Sequence, residues 1–240
     1  MIKAISLQKK FRNLIAVNNI SFTIELGTVV GFLGPNGAGK STTMRILAGF
    51  YQADAGTASI CGYDVFKNRF DAQACLGYLP EAPGGFQVLT VREFLVYCGE
   101  SRGVWGHQLE VAINRVTELI DLGLALDKKI ATLSKGWRQR AWLAQAILHD
   151  PPALILDEPT DGLDPNQKEH IRTLIRSICP EKAIILSTHI LEEAEEICDR
   201  AIIINKGKIV ADDTPRNLGD ANGRIAQSFR ALTNKEAVRD

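Results

Sequence analysis

The stretch Gly34-Pro-Asn-Gly-Ala-Gly-Lys-Ser41 fits the phosphate-binding pattern G-x-x-x-x-G-K-[ST] at every fixed position. Its three glycines lack a Cβ, so the backbone can take positive φ angles and turn its N–H groups towards phosphate oxygens. Lys40 supplies a positive charge for the β- and γ-phosphates, and the hydroxyl of Ser41 suits a Mg²⁺ shell. The stretch therefore predicts a site for a nucleoside triphosphate.

The residues on either side of this loop are typical of a strand and a helix. Residues 28–33 form a short apolar run with β-branched residues, which predicts a buried strand. Residues 41–48 contain no Pro or Gly and predict a helix, with Gly49 as its stop signal. Strand, loop and helix in this order are the context that a phosphate-binding loop needs, which argues against a chance glycine-rich turn.

The composition is that of a globular protein with no excess of either charge. Of 240 residues, 45% are hydrophobic and 23% are charged. The 28 basic and 28 acidic residues cancel, whereas nucleic-acid binders usually carry a basic excess, so we expect no nucleic-acid partner. No apolar run has the length of a membrane span and the N-terminus lacks a secretory h-region, so we expect a cytoplasmic location.

Strand and helix patterns alternate on both sides of a helical insert. The predicted strands are residues 2–7, 19–24, 28–33, 57–60, 76–79, 153–156, 183–186, 200–205 and 208–211. Helical periodicity covers residues 90–149, with a capping-box pair at Thr90 and Glu93, and returns at 166–179 and 191–198. This alternation predicts an α/β fold with a parallel sheet covered on both faces. Beyond Thr214 the pattern is weak.

Two acidic residues follow one of the predicted strands. The stretch Leu154-Ile-Leu-Asp-Glu-Pro159 places Asp157 and Glu158 at the end of an apolar run. If this strand lies beside the phosphate loop, Asp157 comes near Mg²⁺, and Glu158 can polarise or deprotonate the attacking water. The alternative is a solvated turn, which is disfavoured because two acids beside a buried strand need a cation or solvent to offset their desolvation.

A second candidate anion site comes just before a helical segment. In Leu133-Ser-Lys-Gly-Trp-Arg-Gln-Arg140, Ser134 is a suitable helix cap, and its hydroxyl and the following N–H groups can bind an anion. Caps of this kind are common, so the stretch alone is not specific.

Taken in order, these motifs resemble the nucleotide-binding subunit of an ATP-binding-cassette (ABC) transporter over roughly residues 1–215. The resemblance implies a P-loop NTPase core with a mixed, largely parallel sheet, an N-terminal antiparallel β subdomain and an inserted helical subdomain. It divides a single ABC ATPase domain, 1–240, into a core at 1–82 and 151–215, a helical subdomain at 83–150 and a tail of unknown role at 216–240.

In that family two subunits pair head to tail, and each ATP lies between the phosphate loop of one and an L-S-G-G-Q-like signature of the other. The resemblance implies that Ser134, Gly136 and Trp137 contact ATP in the opposing site, and that Asp164 lies in the loop linking the two sites. The ATP-binding residues that it implies are Phe11, stacked on adenine, and Gly34, Pro35, Asn36, Gly37, Ala38, Gly39, Lys40, Ser41 and Thr42.

The resemblance also implies the chemistry, which is ATP hydrolysis with Mg²⁺ as cofactor. Glu158 is the expected base, and His189 of Ser187-Thr-His189 matches the switch histidine that contacts the γ-phosphate. The expected Mg²⁺ ligands are Ser41, Glu81 and Asp157. The expected partners are ATP, a second ATPase subunit and a separate membrane permease that holds the chain at the cytoplasmic face of the membrane.

Two positions depart from the usual family pattern. Glu81 stands where the family usually has Gln, which adds a possible Mg²⁺ ligand and a negative charge near the attacking water. The signature is L-S-K-G-W, and because Trp137 cannot make the hydrogen bonds of an amide, we expect an apolar or stacking contact there. Both features resemble the branch that serves separate exporter permeases, including drug, polysaccharide, sodium and gliding-motility systems.

Two other functions are considered beside an export ATPase. Soluble ABC ATPases of DNA repair, chromosome organisation or translation carry long coiled-coil inserts, zinc modules or two cassettes, and none of these is visible in the sequence. A nucleotide-dependent switch that barely hydrolyses ATP is disfavoured by the presence of Glu158 and His189, whereas Glu81 leaves it open.

Overall fold

The protein folds around two β-sheets, which a computed structural model describes over residues 1–82, 84–220 and 224–234. Over these residues the strands are β1 (Ile2–Phe11), β2 (Leu14–Ile24), β3 (Thr28–Leu33), β4 (Ala55–Ile60), β5 (Tyr63–Asp64), β6 (Leu76–Leu79), β7 (Ala153–Asp157), β8 (Ala183–Thr188), β9 (Arg200–Asn205) and β10 (Lys208–Asp213). The helices are α1 (Lys40–Leu47), α2 (Arg69–Ala74), α3 (Val91–Ser101), α4 (Gly106–Leu119), α5 (Lys135–Ile147), α6 (Pro165–Ile178), α7 (Leu191–Ile197), α8 (Pro215–Leu218) and α9 (Ala226–Asn234). In this part of the chain no helix has the length and apolar character of a membrane span.

The larger sheet has the strand order β10-β9-β3-β8-β7-β6. Strand β3 runs parallel to β8 and β9, β7 runs parallel to β8 and β6, and β10 is antiparallel to β9. The register pairs Leu33 with Thr188 and Asp157 with Ser187, so the carboxyl ends of β3, β8 and β7 meet at one edge. The expected mixed, largely parallel sheet is confirmed, and this edge carries the predicted site.

The smaller sheet is antiparallel, with the order β2-β1-β4-β5, as the family resemblance implied. Strands β1 and β2 extend beyond the predicted residues 2–7 and 19–24. The added part of β1 is mostly polar, and the added part of β2 has apolar residues in succession, so neither carries an alternating signal. Strand β1 ends at Phe11 and β2 begins at Leu14, so the turn of this hairpin is only two residues long.

Alternate residues of the central strands face two different cores. In β7, Leu154 and Leu156 pack on the side of α3, α4 and α5, whereas Ile155 packs on the side of α1 and the antiparallel sheet. The same alternation holds in β8, where Ile184 and Ile185 point to opposite cores. A parallel strand buried on both faces is apolar at every position, which explains the continuous hydrophobic runs in the sequence.

Three helices, α3, α4 and α5, lie within the predicted helical subdomain at 83–150. The capping box is confirmed, since Thr90 Oγ1 accepts from the N–H of Glu93 (3.2 Å) and Glu93 Oε2 accepts from the N–H of Thr90 (2.7 Å). The prediction of continuous helical structure over residues 90–149 is wrong. The chain turns after α3 and after α4, where Gly103 (φ 79°) and Asp121 (φ 51°) take left-handed conformations. Pro83, the first residue of the predicted subdomain, lies outside the described residues, and the division into subdomains stays a prediction.

The predicted tail at 216–240 contains a helix that the sequence analysis missed. Ile225, Phe229 and Leu232 lie three to four residues apart and pack against the core of the helical side, so α9 is amphipathic. This spacing was a usable signal, although it spans little more than two turns. Of the predicted tail, residues 221–223 and 235–240 lie outside the described residues.

The docking of α9 can be tested at Ile225, which is fully buried. We expect Ile225→Ala to lower the free energy of unfolding by about 2–4 kcal/mol, because it deletes buried methyl groups and leaves a cavity. Urea denaturation followed by circular dichroism measures the change, with Gln227→Ala at an exposed position of the same segment as control. Equal stability of both variants would show that the segment does not pack against the core in solution.

Candidate active site

The phosphate loop joins β3 to α1, and its glycines are required for two different reasons. Gly37 and Gly39 have φ angles of 80° and 110°, in the region that favours glycine. Gly34 is not in this region, but a Cβ on it would lie 2.4 Å from the carbonyl oxygen of Ile204 on β9. The sequence expectation of positive φ therefore applies to two of the three glycines, and close packing on β9 explains the third.

Lys40 places its ammonium group inside this loop. Its Nζ donates to the carbonyl oxygen of Gly34 at 2.8 Å, and the residue is 7% exposed. Burial lowers the pKa of Lys40, and the negative charges of Glu158, Asp157 and Glu81 act in the opposite direction. The loop thus holds a buried cation among three carboxylates.

Asp157, Ser41 and Glu81 bring oxygen atoms together beside this cation. Ser41 Oγ donates to Glu81 Oε2 at 3.2 Å and lies 3.5 Å from Asp157 Oδ1, which also accepts from the hydroxyl of Ser187. Asp157 is fully buried, and its Oδ2 has no hydrogen-bond partner among the described residues. Burial, together with the charge of Glu81, raises the pKa of Asp157.

This arrangement fits Mg²⁺. Within the described residues no three Asp, Glu, His or Cys side chains cluster as a complete metal site. Mg²⁺, however, is usually held by one or two carboxylates with substrate phosphates and water, and it prefers oxygen ligands. The unpartnered oxygen of Asp157 and the adjacent Ser41 and Glu81 oxygens supply such a partial set.

Glu158 follows β7 in a strained conformation that its neighbours hold in place. Its φ is 53°, which costs a non-glycine residue of order 1–3 kcal/mol. The N–H of Glu158 donates to the carbonyl oxygen and the Oγ of Ser187, both at 3.1 Å. Its own carbonyl oxygen accepts from Gln139 Nε2 at 3.0 Å, a contact from the signature helix α5.

The side chain of Glu158 meets His189. Glu158 Oε2 lies 2.9 Å from His189 Nδ1, so the sheet edge brings together the two residues predicted to be catalytic. Burial raises the pKa of Glu158, while His189 and Lys40 act to lower it. Glu158 is 8% exposed, and it lines the same recess as the phosphate loop.

That recess has a volume of about 300 Å³ and is lined by both polar and apolar residues. The phosphate loop, Glu81 and Glu158 supply its polar groups, and Phe11 and Leu14 at the turn of the β1–β2 hairpin supply exposed apolar side chains. The ring of Phe11 is 38% exposed and meets Tyr51 edge-on at 5.4 Å between centroids. The lining residues are Phe11, Leu14, Ala16, Asn36, Gly37, Gly39, Lys40, Ser41, Thr42, Glu81 and Glu158.

The signature residues lie outside this recess, at the start of α5. Ser134 is exposed and caps the helix by accepting from the N–H of Trp137 at 3.4 Å. Gly136 is buried, and a Cβ on it would approach Gln167 Oε1 to 2.8 Å. Trp137 is half-buried, with the guanidinium carbon of Arg140 4.7 Å from its ring centroid. The structure does not bring these residues to the phosphate loop of the same chain.

Asp164 has a structural contact of its own. It caps α6, with Oδ1 accepting from the N–H of Gln167 at 2.9 Å. Three residues earlier, Asp161 accepts from Lys135 Nζ of the signature at 2.6 Å. The loop that contains Asp161 and Asp164 is thus attached to the signature segment within one chain.

Sequence reasoning missed the residues that hold the backbone of Glu158. Ser187 lay in the quoted stretch Ser187-Thr-His189, and Gln139 lay in the signature stretch, but neither shows in periodicity or in composition. Their partners are distant in sequence, 29 residues away for Ser187 and 19 for Gln139. No local pattern indicates such contacts.

Comparisons with known proteins identify the family. A family model described as ABC transporter matches residues 17–161. Nod factor export ATP-binding protein I of Burkholderia lata is 37% identical over 214 residues, covering 89% of this chain and 70% of the relative. The uncharacterized ABC transporter ATP-binding protein YxlF of Bacillus subtilis is 37% identical over 209 residues, covering 87% and 69%.

Solved structures have the same fold. An ATP-binding subunit of an ABC transporter aligns with a TM-score of 0.89 and 28% identity, over 97% of this chain and 99% of the other. A dimeric bacterial ABC transporter cassette aligns with a TM-score of 0.83 and 22% identity, over 90% and 99%.

The chain belongs to the ABC transporter family. Within that family it is an ATP-binding subunit, and its enzymatic activity is ATP hydrolysis.

The position of Lys40 gives a direct test of the phosphate loop. We expect Lys40→Ala to weaken MgATP binding about ten- to a hundredfold, because a charge-assisted contact to the phosphates is lost. Titration calorimetry measures the affinity, with Lys128→Ala at an exposed position as the control. Unchanged affinity in Lys40→Ala would contradict the assignment of this loop.

Proposed function

We propose that this chain hydrolyses MgATP with Glu158 as the base, in composite sites formed by two subunits, and that it powers export through a separate membrane permease. The observation that carries the proposal is the convergence of Lys40, Asp157, Glu158 and His189 at one edge of the parallel sheet. This edge would lie at the cytoplasmic face of the membrane when the permease holds the chain there.

ATP would occupy this recess. Phe11 offers a partly exposed ring for the adenine, and Thr42 lines the recess with the phosphate loop. The loop from Gly34 to Thr42 would surround the phosphates at the start of α1, with free N–H groups such as that of Asn36 directed at them. Pro35 has no N–H, and the N–H of Ala38 donates to the carbonyl oxygen of Pro35 at 3.1 Å. The ammonium of Lys40 would then contact the β- and γ-phosphates.

Ser41, Asp157 and Glu81 would hold the Mg²⁺ that accompanies ATP. When bound, this ion neutralises charge on the phosphate oxygens. Asp157 has an unpartnered, buried oxygen for this purpose, and Ser187 orients the other oxygen of the same carboxylate. The role of Glu81 as a ligand rests on its contact with Ser41.

Glu158 would take the proton of the attacking water. His189 contacts Oε2, which leaves Oε1 to accept this proton and fixes the direction in which the carboxylate points. Burial raises the pKa of Glu158 in the direction of neutral pH, and a general base is most effective when its pKa lies near the working pH. The strained backbone, held by Ser187 and Gln139, keeps the carboxylate at the recess.

A second subunit would complete each site. Ser134, Gly136 and Trp137 lie outside the recess of their own chain. Ser134 is exposed at the N-terminus of α5, a helix of 13 residues, and a helix N-terminus favours anions. A head-to-tail partner would present them to the γ-phosphate, and Asp164 would lie in the loop between the two sites. A solved cassette of the same fold is described as dimeric, which is consistent with pairing of two subunits.

A groove of about 640 Å³ beside the active site would receive the permease. Its walls carry aromatic rings, including the exposed Phe50 and Phe86, which suits an apolar helical segment. Pro80 and Ala82 line the groove while Glu81, between them, contacts Ser41. Occupation of the groove would therefore act on the Mg²⁺ ligands through two neighbouring residues.

Export is supported by the relatives named as Nod factor export proteins. ATPase assays with and without the co-purified permease test this function, since an export subunit should hydrolyse ATP faster with its partner. A rate that is negligible in both conditions would favour the nucleotide-dependent switch.

Glu158→Gln tests the base. We expect this variant to bind MgATP like the parent and to lose turnover by about 10²–10⁴-fold, because an amide cannot accept the proton of water. Steady-state phosphate release and sedimentation velocity with MgATP measure turnover and the accumulation of an ATP-bound dimer. Near-parent turnover would remove Glu158 from this role.

Ser134→Arg tests the composite site. We expect normal ATP binding but strongly reduced hydrolysis, because the residue acts on the phosphate held by the other subunit. Mixing it with Lys40→Ala gives dimers in which one site has both lesions and the other has none, so part of the activity should return. Ser101→Arg, an exposed serine on α3, is the control. Full activity of the Ser134→Arg homodimer would contradict head-to-tail pairing.

Glu81→Gln restores the usual family residue. We expect a folded, ATP-binding protein whose turnover needs more Mg²⁺, because one negative charge near the ion is lost. Turnover is measured against Mg²⁺ concentration, with and without permease, beside Glu100→Gln as an exposed control. Superimposable curves for parent and Glu81→Gln would make Glu81 a solvated loop residue.

A further inference from the structure

Glu193 is a buried carboxylate that the proposed mechanism does not use. It lies on α7, is 1% exposed and does not line the nucleotide recess. Burial of a charged group is costly unless hydrogen bonds and opposite charges compensate it. The contacts of Glu193 must therefore compensate the desolvation of its carboxylate.

The contacts of Glu193 join the loop after β7 to the end of β8. Its Oε1 accepts from the hydroxyl of Thr160, and its Oε2 accepts from the hydroxyl of Thr188 at 2.8 Å. Lys168 Nζ and Arg172 Nη2 of α6 each lie 3.9 Å from Oε1 and supply the opposite charge. Both oxygens therefore have specific partners. The hydroxyl of Thr160 comes from the segment that follows β7, and that of Thr188 from the last residue of β8.

These two segments carry the predicted catalytic pair. Thr160 lies two residues after Glu158, and Thr188 immediately precedes His189. The side chain of Thr188 is held further by the N–H of Ile190, which donates to its Oγ1 at 3.0 Å. The carboxylate of Glu193 thus links the segment that carries Glu158 to the segment that carries His189.

We propose that Glu193 is a positioning residue that sets the contact between Glu158 and His189 by bridging Thr160 and Thr188. The inference rests on the roles of Glu158 and His189 proposed above. The distance of 2.9 Å between Glu158 Oε2 and His189 Nδ1 requires both segments to keep their relative position. The strained Glu158 and the exposed His189 make this pair sensitive to small shifts.

Thr160 is the most informative position for a test, because its side chain contacts Glu193 and it lies 29 residues from His189 in the sequence. Thr160→Val removes the hydroxyl and keeps the shape, whereas Thr160→Ser keeps the hydroxyl. We expect turnover to fall roughly tenfold in Thr160→Val, with unchanged MgATP affinity, and Thr160→Ser to retain the parent rate. Glu193→Gln, which keeps the side-chain volume, should resemble Thr160→Val.

Two further measurements separate positioning from simple destabilisation. Amide hydrogen exchange of residues 188–191 should increase in Thr160→Val and not in Thr160→Ser. In a His189→Ala background, Thr160→Val should cause no additional loss of turnover, because it acts through His189. Multiplicative losses, or parent turnover in Thr160→Val, would overturn the proposal. If His189→Ala alone keeps parent turnover, the proposed role of His189 is wrong, and the positioning role of Glu193 is wrong with it. The hydrogen-exchange result would then show only whether Glu193 holds the segments of Thr160 and Thr188 together.

Discussion

Parallel hydrogen bonding between β3, β8 and β7 is the constraint on which the active site depends. It fixes the register Leu33 to Thr188 and Asp157 to Ser187, so the residues after these strands meet at one edge. The phosphate loop, the two acids and His189 come from segments that are far apart in sequence. They assemble because the strands pair in parallel, which brings their carboxyl ends to the same edge of the sheet.

The edge of the sheet gathers charges that would be costly alone. Lys40 offsets the negative charges of three carboxylates. Burial and the neighbouring charge of Glu81 raise the pKa of Asp157. The backbone of Glu158 is strained and is retained by hydrogen bonds from Ser187 and Gln139. Such strain and charge concentration make the site poorly stabilised by itself and suited to a charged ligand.

Much of the fold follows from local patterns in the sequence. Strands β3 and β6 match the predicted bounds because each is an apolar run that ends at Gly34 or at Pro80. Helix α9 was missed because its apolar face spans little more than two turns. The site itself was predictable only where a motif is contiguous. Gln139 and Glu193 could not be found, since their partners lie 19 and 33 residues away and depend on tertiary packing.

The most direct test of this account is a crystal structure of the Glu158→Gln chain with ATP and Mg²⁺. The account predicts a head-to-tail dimer in which each γ-phosphate lies between Lys40 of one chain and Ser134 of the other. It also predicts that the carboxylate of Asp157 contacts the metal ion. ATP bound by the residues of one chain alone, or a metal ion without Asp157 among its ligands, would contradict it.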